Sequence, residues 1–225
     1  MPTITPHPRW EQILQQRCFL LFLALLALLI AIPFLSETAH GRLIVGLCNI
    51  IMLLTAVGAV GRSKLPLAIA IFLAVPTLTF QLLGLQSGGS GYKVWSWSCN
   101  AVLYSFTLGN LLHYVLRQDR ITADKLYGAV AAYMLIAILW AFLHGVLQYF
   151  YPGAYAISGT VQTLDLPDFI YFSFSIITTA GFGDITPVLL QSRFLVILEG
   201  VTGVMYVAIL IARLTGVYPV VGAKA

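Results

Sequence analysis

Charge is the property that this 225-residue sequence has least of: 9% of the residues are charged, whereas 60% are hydrophobic. Soluble domains carry about 25% charged residues, so a single water-soluble domain is excluded. Several runs have no charged residue, and one further apolar run is interrupted only by Glu199. Each is long enough for a helix of about 20 residues, the length that crosses a bilayer. The sequence predicts an all-α membrane protein with six transmembrane helices, at 18–36, 43–61, 65–86, 93–116, 126–150 and 192–215.

Cysteine is also scarce, with three residues, Cys18, Cys48 and Cys99, within or at the ends of predicted helices. An odd number of such thiols does not form a disulfide framework, and we expect buried, unpaired thiols. His113 and His144 also lie in predicted helices, where we expect their ring nitrogens to bond neighbouring groups. No His, Cys and carboxylate spacing indicates a metal enzyme. The sequence therefore predicts no catalysis, no organic cofactor and no nucleic-acid partner.

The 12 basic residues are divided unevenly by the predicted helices, with nine on the side of both termini and three on the other. By the positive-inside rule, both termini are expected in the cytoplasm, in a multi-pass protein of the cell membrane. Residues 1–17 are expected to be cytoplasmic or to lie on the bilayer surface. The first apolar run exceeds the about 7–15 residues of a cleaved signal core, so we expect it to persist as a helix.

No Lys or Arg occurs between 94 and 116. A voltage sensor needs several such residues along one helix, so we expect weak voltage dependence. The four-helix part, 18–116, is then interpreted as structural packing, or as a sensor of lipid, tension or a small ligand. The polar stretch 117–125 is expected to be a cytoplasmic linker, and the tail 218–225 is too short for a cytoplasmic ligand-binding domain.

A further apolar run, FIYFSFSIITTAGFG, lies between the last two predicted helices. A helix over 167–178 is about 18 Å long, half of the hydrocarbon thickness, so it can enter the membrane and must turn back. Asp165 and Pro167 supply signals for its start. Gly181 and Gly183 allow positive φ at alternate positions, so that successive carbonyls can point the same way. Such non-helical backbone must be buried in protein or line a water-filled cavity.

The TTAGFGD segment, residues 178–184, resembles the TTVGYGD selectivity filter of the tetrameric potassium channel family. The positions of Pro187, Arg193 and Gly203 continue the resemblance, which covers about 126–215. It implies a pore domain over 126–217, with outer helix 126–150, pore helix 167–178, filter 179–183 and inner helix 192–215. The implied function is a homotetrameric potassium-selective channel in the lipid bilayer. The implied K⁺ ligands are the oxygens of Thr179, Ala180, Gly181 and Phe182, with Gly183 completing the turn.

Departures from the family pattern concern the support of the filter. Phe182 stands in place of tyrosine, and Tyr171 and Phe172 stand where many members have tryptophans. Ser175 replaces a glutamate that pairs with the filter aspartate in some members, so Asp184 is expected to lack that partner. Ala180 replaces valine. With Thr178 and Arg193 kept beside the filter, we expect a potassium preference with a softer filter.

In the predicted inner helix, Gly200 and Gly203 are read either as a hinge or as sites of close helix packing. Glu199 is a candidate intramembrane acid, and the structural interpretation is a protonated side chain hydrogen-bonded behind the re-entrant helix. The resemblance implies that an apolar inner cavity is lined by Val204, Val207, Ala208 and Ile211.

Other function classes remain open. A weakly selective cation channel or a non-conducting regulatory subunit would carry the same motif. A transporter of the potassium-uptake type is less favoured, because it joins four pore repeats in one chain and this sequence has one. A membrane enzyme would need paired carboxylates, an activated nucleophile or metal ligands at one depth, for which Glu199 and His144 give thin support.

Overall fold

A computed structural model describes residues 17–35, 38–60, 64–87, 90–117 and 122–217. The predicted N-terminal surface segment, apart from residue 17, and the tail 218–225 lie outside these described residues. In chain order the helices are α1 (Arg17–Leu35), α2 (Ala39–Val60), α3 (Lys64–Ser87), α4 (Ser90–Val115), α5 (Ala123–Phe150), α6 (Leu166–Ile177) and α7 (Leu190–Val217). The described residues also form three short strands, β1 (Tyr155–Ile157), β2 (Thr160–Val161) and β3 (Ile185–Pro187).

The mostly helical fold with apolar helices agrees with the expected membrane class. Among the described residues, four helices are long and apolar enough to cross a membrane, over Cys18–Leu35, Leu65–Gly84, Ala123–Phe150 and Leu190–Arg213. The apolar part of α2 is shorter, Leu43–Val57, and α4 is more polar. Several polar side chains of α4 bond to its own backbone; Thr107 and Asn110, for example, donate to Leu103 O and Phe106 O. Membrane crossing by α2 and α4 stays a prediction.

The helix α5 is the centre of the packing. Its inward residues join α1, α2 and α4 in one apolar cluster that includes the fully buried Leu25, Leu53, Leu103 and Leu135. In an apolar 18-residue stretch of α5, 61% of the residues are buried, against 11% in the corresponding stretch of α7. The last helix therefore presents most of its surface outward from this single chain.

The start of α5 is tied to two other helices through Asp124. One carboxylate oxygen accepts from the backbone N–H of Cys18 at 2.8 Å, and the other accepts from the Tyr114 hydroxyl at 2.8 Å. Thr122 caps the helix by accepting from the N–H of Lys125 at 3.3 Å. The polar linker thus joins the beginning of α1, the end of α4 and the beginning of α5.

The sequence interpretation missed a small antiparallel sheet between α5 and α7, with strand order β2-β1-β3. Ile157 pairs with Thr160 across a two-residue turn, in which Ser158 and Gly159 have φ of 48° and 81°. Positive φ at both positions is the mark of a hairpin turn whose twist matches its strands. The Ser-Gly pair was an available signal for this turn.

The expectation for cysteines was partly wrong, because Cys18 is buried but Cys48 is exposed.

Candidate functional site

The 12-residue helix α6 is fixed at both ends. At its start, the N–H of Asp165 donates to Oδ2 of Asp168 at 2.9 Å. The Gln148 amide of α5 holds the preceding residue, donating to Leu164 O at 2.8 Å and accepting from Leu164 N at 2.9 Å. At its end, the Tyr133 hydroxyl of α5 donates to Ile177 O at 2.6 Å. The helix therefore has little freedom to slide against α5.

The TTAGFGD segment leaves the end of α6 in an alternating backbone conformation. Thr179, Gly181 and Gly183 have φ of 61°, 54° and 80°, whereas Ala180 and Phe182 between them are not in the positive-φ region. Alternation of this kind turns successive carbonyl groups toward a common side. A non-glycine residue at positive φ is uncommon and marks a strained position. Residues 178–184 are all exposed in the single chain, so their backbone is available to a ligand or a partner.

Contacts with α6 support this segment from behind. Gly181 N donates to Ser175 O at 3.0 Å, and the Phe182 ring stacks on Tyr171 with centroids 5.9 Å apart and planes 8° apart. The Ser175 hydroxyl donates to Phe172 O at 2.8 Å. It is therefore engaged by its own helix rather than by Asp184.

After the segment, the chain is held by the sheet and by α7. Asp184 O accepts from Ser158 N at 2.8 Å, and Ile185–Pro187 pairs with β1. The buried Ser192 hydroxyl donates to Ala154 O at 2.8 Å, and Arg193 Nε donates to Pro187 O at 3.4 Å. Both flanks of the TTAGFGD segment are thus anchored, while the segment itself is exposed.

A buried polar chain lies behind α6. His144 on α5 contacts the Tyr155 hydroxyl through Nδ1 at 2.6 Å and Oε2 of Glu199 on α7 through Nε2 at 2.8 Å. All three side chains are fully buried. The His144 ring is stacked at 6.2 Å on Phe169 and meets Phe172 edge-on at 5.3 Å. These three side chains therefore join α5, α7 and the sheet at the rear of α6.

The positions of the protons in this hydrogen-bonded group are determined by Tyr155. Burial raises the pKa of the Tyr155 phenol well above its ordinary value. A protonated phenol donates to Nδ1, which places the ring proton on Nε2, where it is donated to Oε2 of Glu199. Oε1 of Glu199 and Oγ of Ser173 are buried and have no hydrogen-bond partner among the residues that the structure describes. If Glu199 is neutral, as the sequence interpretation expects, Oε1 carries the proton and Oε2 still accepts from His144.

Gly200 and Gly203 of α7 differ in their surroundings. A Cβ on Gly203 would lie 2.5 Å from Ile177 Cγ1 and 2.8 Å from Ile177 O, closer than real Cβ contacts. A Cβ on Gly200 would meet only Ile176 Cγ2, at 4.0 Å. Gly203 is therefore needed for close approach of α7 to the end of α6. The four predicted cavity residues lie on the exposed surface of α7: Val204, Val207, Ala208 and Ile211.

Three tyrosines that support the candidate site were not predicted from the sequence, namely Tyr133, Tyr155 and Tyr206. The Tyr206 hydroxyl of α7 donates to Ala129 O of α5 at 2.6 Å, and its ring stacks on Tyr133 at 5.8 Å. Tyr133 and Tyr206 tie both long helices to the end of α6. A tyrosine inside an apolar run is a signal for such a bond, because a buried hydroxyl requires a partner.

Comparison with known families agrees with this geometry. Residues 130–218 match the family model described as "Ion channel". No curated protein and no solved structure matches the chain. The matched range contains most of α5, the sheet, α6, the TTAGFGD segment and α7, in which the supporting contacts are made. The match therefore supports a pore-loop ion channel family for the part of the chain that these elements form.

Proposed function

We propose that this chain is a subunit of a homotetrameric potassium-selective channel. The observation that carries the proposal is the alternation of positive φ at Thr179, Gly181 and Gly183 in an exposed segment at the end of a half-length helix. Rings of backbone carbonyls in this arrangement replace the hydration shell of a cation, and several weak sites in a row permit its exit. The proposed K⁺ sites are formed by the oxygens of Thr179, Ala180, Gly181 and Phe182.

Four copies are proposed because one chain supplies only one side of an ion site. In the single chain the TTAGFGD segment is exposed, and so are Val204 and Ile211 on α7, at 54% and 55%. These surfaces are the ones that a central fourfold axis would cover or line. In this assembly the end of each α6 would direct its partial negative charge toward the ion in the cavity. Six membrane crossings, with α6 re-entrant, belong to the same proposal, as do cytoplasmic termini in the cell membrane.

The proposed channel has no charged voltage sensor. In α4 the basic residue is Lys93, near the helix start, and it pairs with Asp165 at 3.4 Å with both side chains exposed. No Lys or Arg follows in α4, so the helix carries no row of charges through the membrane field. We expect an open probability that changes only weakly with voltage.

A weakly selective cation channel is the second candidate. It is favoured by Phe182, which is 69% exposed and is held by one aromatic ring. Phenylalanine also lacks a hydroxyl with which to bond the wall behind it. A looser backbone at this point would coordinate Na⁺ and K⁺ more equally. A non-conducting subunit would share the same fold but carry no flux alone.

Cation flux in liposomes that contain only this chain tests the proposal. Purified protein is reconstituted, and reversal potentials are measured with potassium on one side and sodium on the other. Potassium selectivity predicts a reversal potential near the potassium equilibrium value. A value near zero supports the weakly selective channel, and absence of flux from a folded tetramer supports the non-conducting subunit. Chemical cross-linking in detergent, with ladders ending at four chains, tests the assembly independently of flux.

A further inference from the structure

A cavity of about 740 Å³ lies between the N-terminal helices and the start of α6. Its walls come from all of α1 to α5 and from the first turns of α6, so it joins the two parts of the chain. The volume lies within the about 300–1,000 Å³ that small-molecule sites occupy. Aromatic rings form much of its surface, from Phe80, Trp97, Tyr104 and Phe142.

The cavity has a polar floor made of buried side chains. Asn49, Ser96 and Asn100 are each at most 8% exposed, and Tyr104 is 1% exposed. The Tyr104 hydroxyl donates to Oδ1 of Asn49. The Asn100 amide donates to Ser96 O at 3.0 Å, whereas the contact from Asn49 Nδ2 to Asn100 Oδ1 is 3.5 Å. The floor thus joins α2 and α4 by amide and hydroxyl groups.

Hydrogen-bonding capacity remains unused at this floor. Each asparagine amide has two N–H donors and two acceptor lone pairs, and the contact between the two amides is at the long limit of a hydrogen bond. The Ser96 hydroxyl has no partner among the described residues. Polar groups removed from water are stabilised by a hydrogen-bonding partner. A ligand that brings a hydroxyl or amide group would supply one.

Charge is confined to the mouth of the cavity. Among its lining residues, Lys93, Asp165 and Asp168 are the ionised ones. Lys93 pairs with Asp165 at 3.4 Å, and Asp168 accepts from the N–H of Asp165 at 2.9 Å. The floor offers dipoles but no counter-charge. The interior therefore suits an uncharged head group, since a buried charge without a partner is costly.

We propose that this cavity binds an uncharged amphiphile. Its hydroxyl or amide head lies against Asn49, Ser96 and Asn100, and its apolar body lies against aromatic and aliphatic walls that include Ile138 and Phe142. Two sources supply this chemistry: a neutral lipid from the bilayer, or a small molecule from the outer solution. Leu166, Pro167 and Ile170 also line the cavity, so occupancy changes the surroundings of the pore helix. That effect on current rests on the proposed channel function, whereas binding does not.

Photolabelling of the full-length protein tests the binding. The probe is 4-octylphenol bearing a diazirine on its alkyl chain, added to the protein in detergent and irradiated. We expect adducts on peptides of α2 to α5 that line the cavity, and their loss with excess unlabelled 4-octylphenol. Adducts that are not displaced, or that lie only outside the lining, would overturn the proposal.

Two serines of α4 give a matched pair of variants. Ser96 lines the cavity, whereas the half-buried Ser98 does not, and its hydroxyl donates to Val94 O at 2.9 Å. Ser96→Phe places a ring in the cavity and is expected to abolish displaceable labelling, while Ser98→Phe leaves it intact. Asn100→Leu removes one head-group bond and is expected to weaken competition about three- to tenfold. Equal labelling of all four proteins would contradict the assignment. Unchanged elution on gel filtration confirms that each variant is folded.

The two sources are separated by lipid analysis of the purified protein. A neutral lipid that copurifies with the wild type and is reduced in Ser96→Phe identifies the bilayer as the source. Displaceable labelling without such a lipid identifies the outer solution. Copurification of a charged lipid at this site would overturn the assignment of an uncharged ligand. Binding without a change of liposome flux would refute only the coupling to the pore, and absence of flux with binding intact would refute the channel alone.

Discussion

The Nε2 atom of His144 lies 2.8 Å from Oε2 of Glu199, and both side chains are fully buried. This bond joins α5 to α7 at the rear of α6, where Phe169 and Phe172 enclose the imidazole ring. Removing one member of a buried pair leaves the other without its partner, whereas removing both restores an apolar contact. The pair therefore makes the two helices depend on each other.

Glu199→Leu is expected to lower the free energy of unfolding by about 1–3 kcal/mol, the cost of leaving the buried Nε2 N–H of His144 without an acceptor. Glu199→Gln keeps an acceptor for the Nε2 proton and is expected to cost about 1 kcal/mol. Thermal unfolding of the detergent-solubilised protein measures both. The double variant His144→Leu/Glu199→Leu should be more stable than Glu199→Leu alone. A double variant that loses the sum of the single effects would show that the two residues are independent.

Tyr155→Phe removes the donor to Nδ1 of His144 and leaves that nitrogen buried without a partner. We expect a loss of about 1–3 kcal/mol in the free energy of unfolding. The contact joins the sheet to α5, so protease cleavage between α5 and α6 should also increase. Tyr149→Phe is the control, because that side chain is 43% exposed. Equal stability of the two variants would mean that the Tyr155 hydroxyl contributes nothing to the fold.

Gly203→Ala and Gly200→Ala separate close packing from helix flexibility. Both changes add one methyl and raise helix propensity equally, but at Gly203 the methyl would collide with Ile177 O, which lies 2.8 Å away. We expect Gly203→Ala to destabilise by about 1–3 kcal/mol, as overpacking does, and Gly200→Ala to be neutral or stabilising. Denaturation in detergent measures both. If Gly203→Ala were as stable as the wild type and only slowed opening, the hinge interpretation would be favoured.

Much of the helical pattern was predictable because charges are rare in the sequence and each gap between them is a candidate helix. The predicted helices 126–150 and 192–215 correspond to Ala123–Phe150 and Leu190–Val217. The start of α6 was predictable from neighbouring residues, since Asp165 precedes the helix directly and Pro167 lies in its first turn. The hairpin was missed because its strands have only three and two residues. An alternation of hydrophobic and polar residues cannot be recognised over so short a length.

The candidate site was predictable only where neighbours in sequence form it. Glycines at alternate positions of one heptapeptide indicate a backbone with positive φ, and the structure has positive φ at Gly181 and Gly183. The contact between His144 and Glu199 joins residues 55 positions apart, and the bond between Asn49 and Tyr104 spans the same separation. Such contacts depend on the rotation and height of helices that meet in space. The sequence shows that each polar group needs a partner, but not which one it has.

A final prediction concerns Gly181, where φ is 54° and a Cβ would meet nothing within 4 Å. Gly181→Ala therefore adds backbone strain without a steric collision, at about 1 kcal/mol. Gly159 in the hairpin has φ of 81° and is equally free of close atoms, so Gly159→Ala is a matched control with similar strain. Because strain at Gly181 shifts carbonyls proposed to hold K⁺, we expect potassium flux in liposomes to fall more than tenfold. The hairpin variant should retain flux, with similar thermal stability. Equal flux through both variants would show that the backbone at Gly181 does not line the ion path.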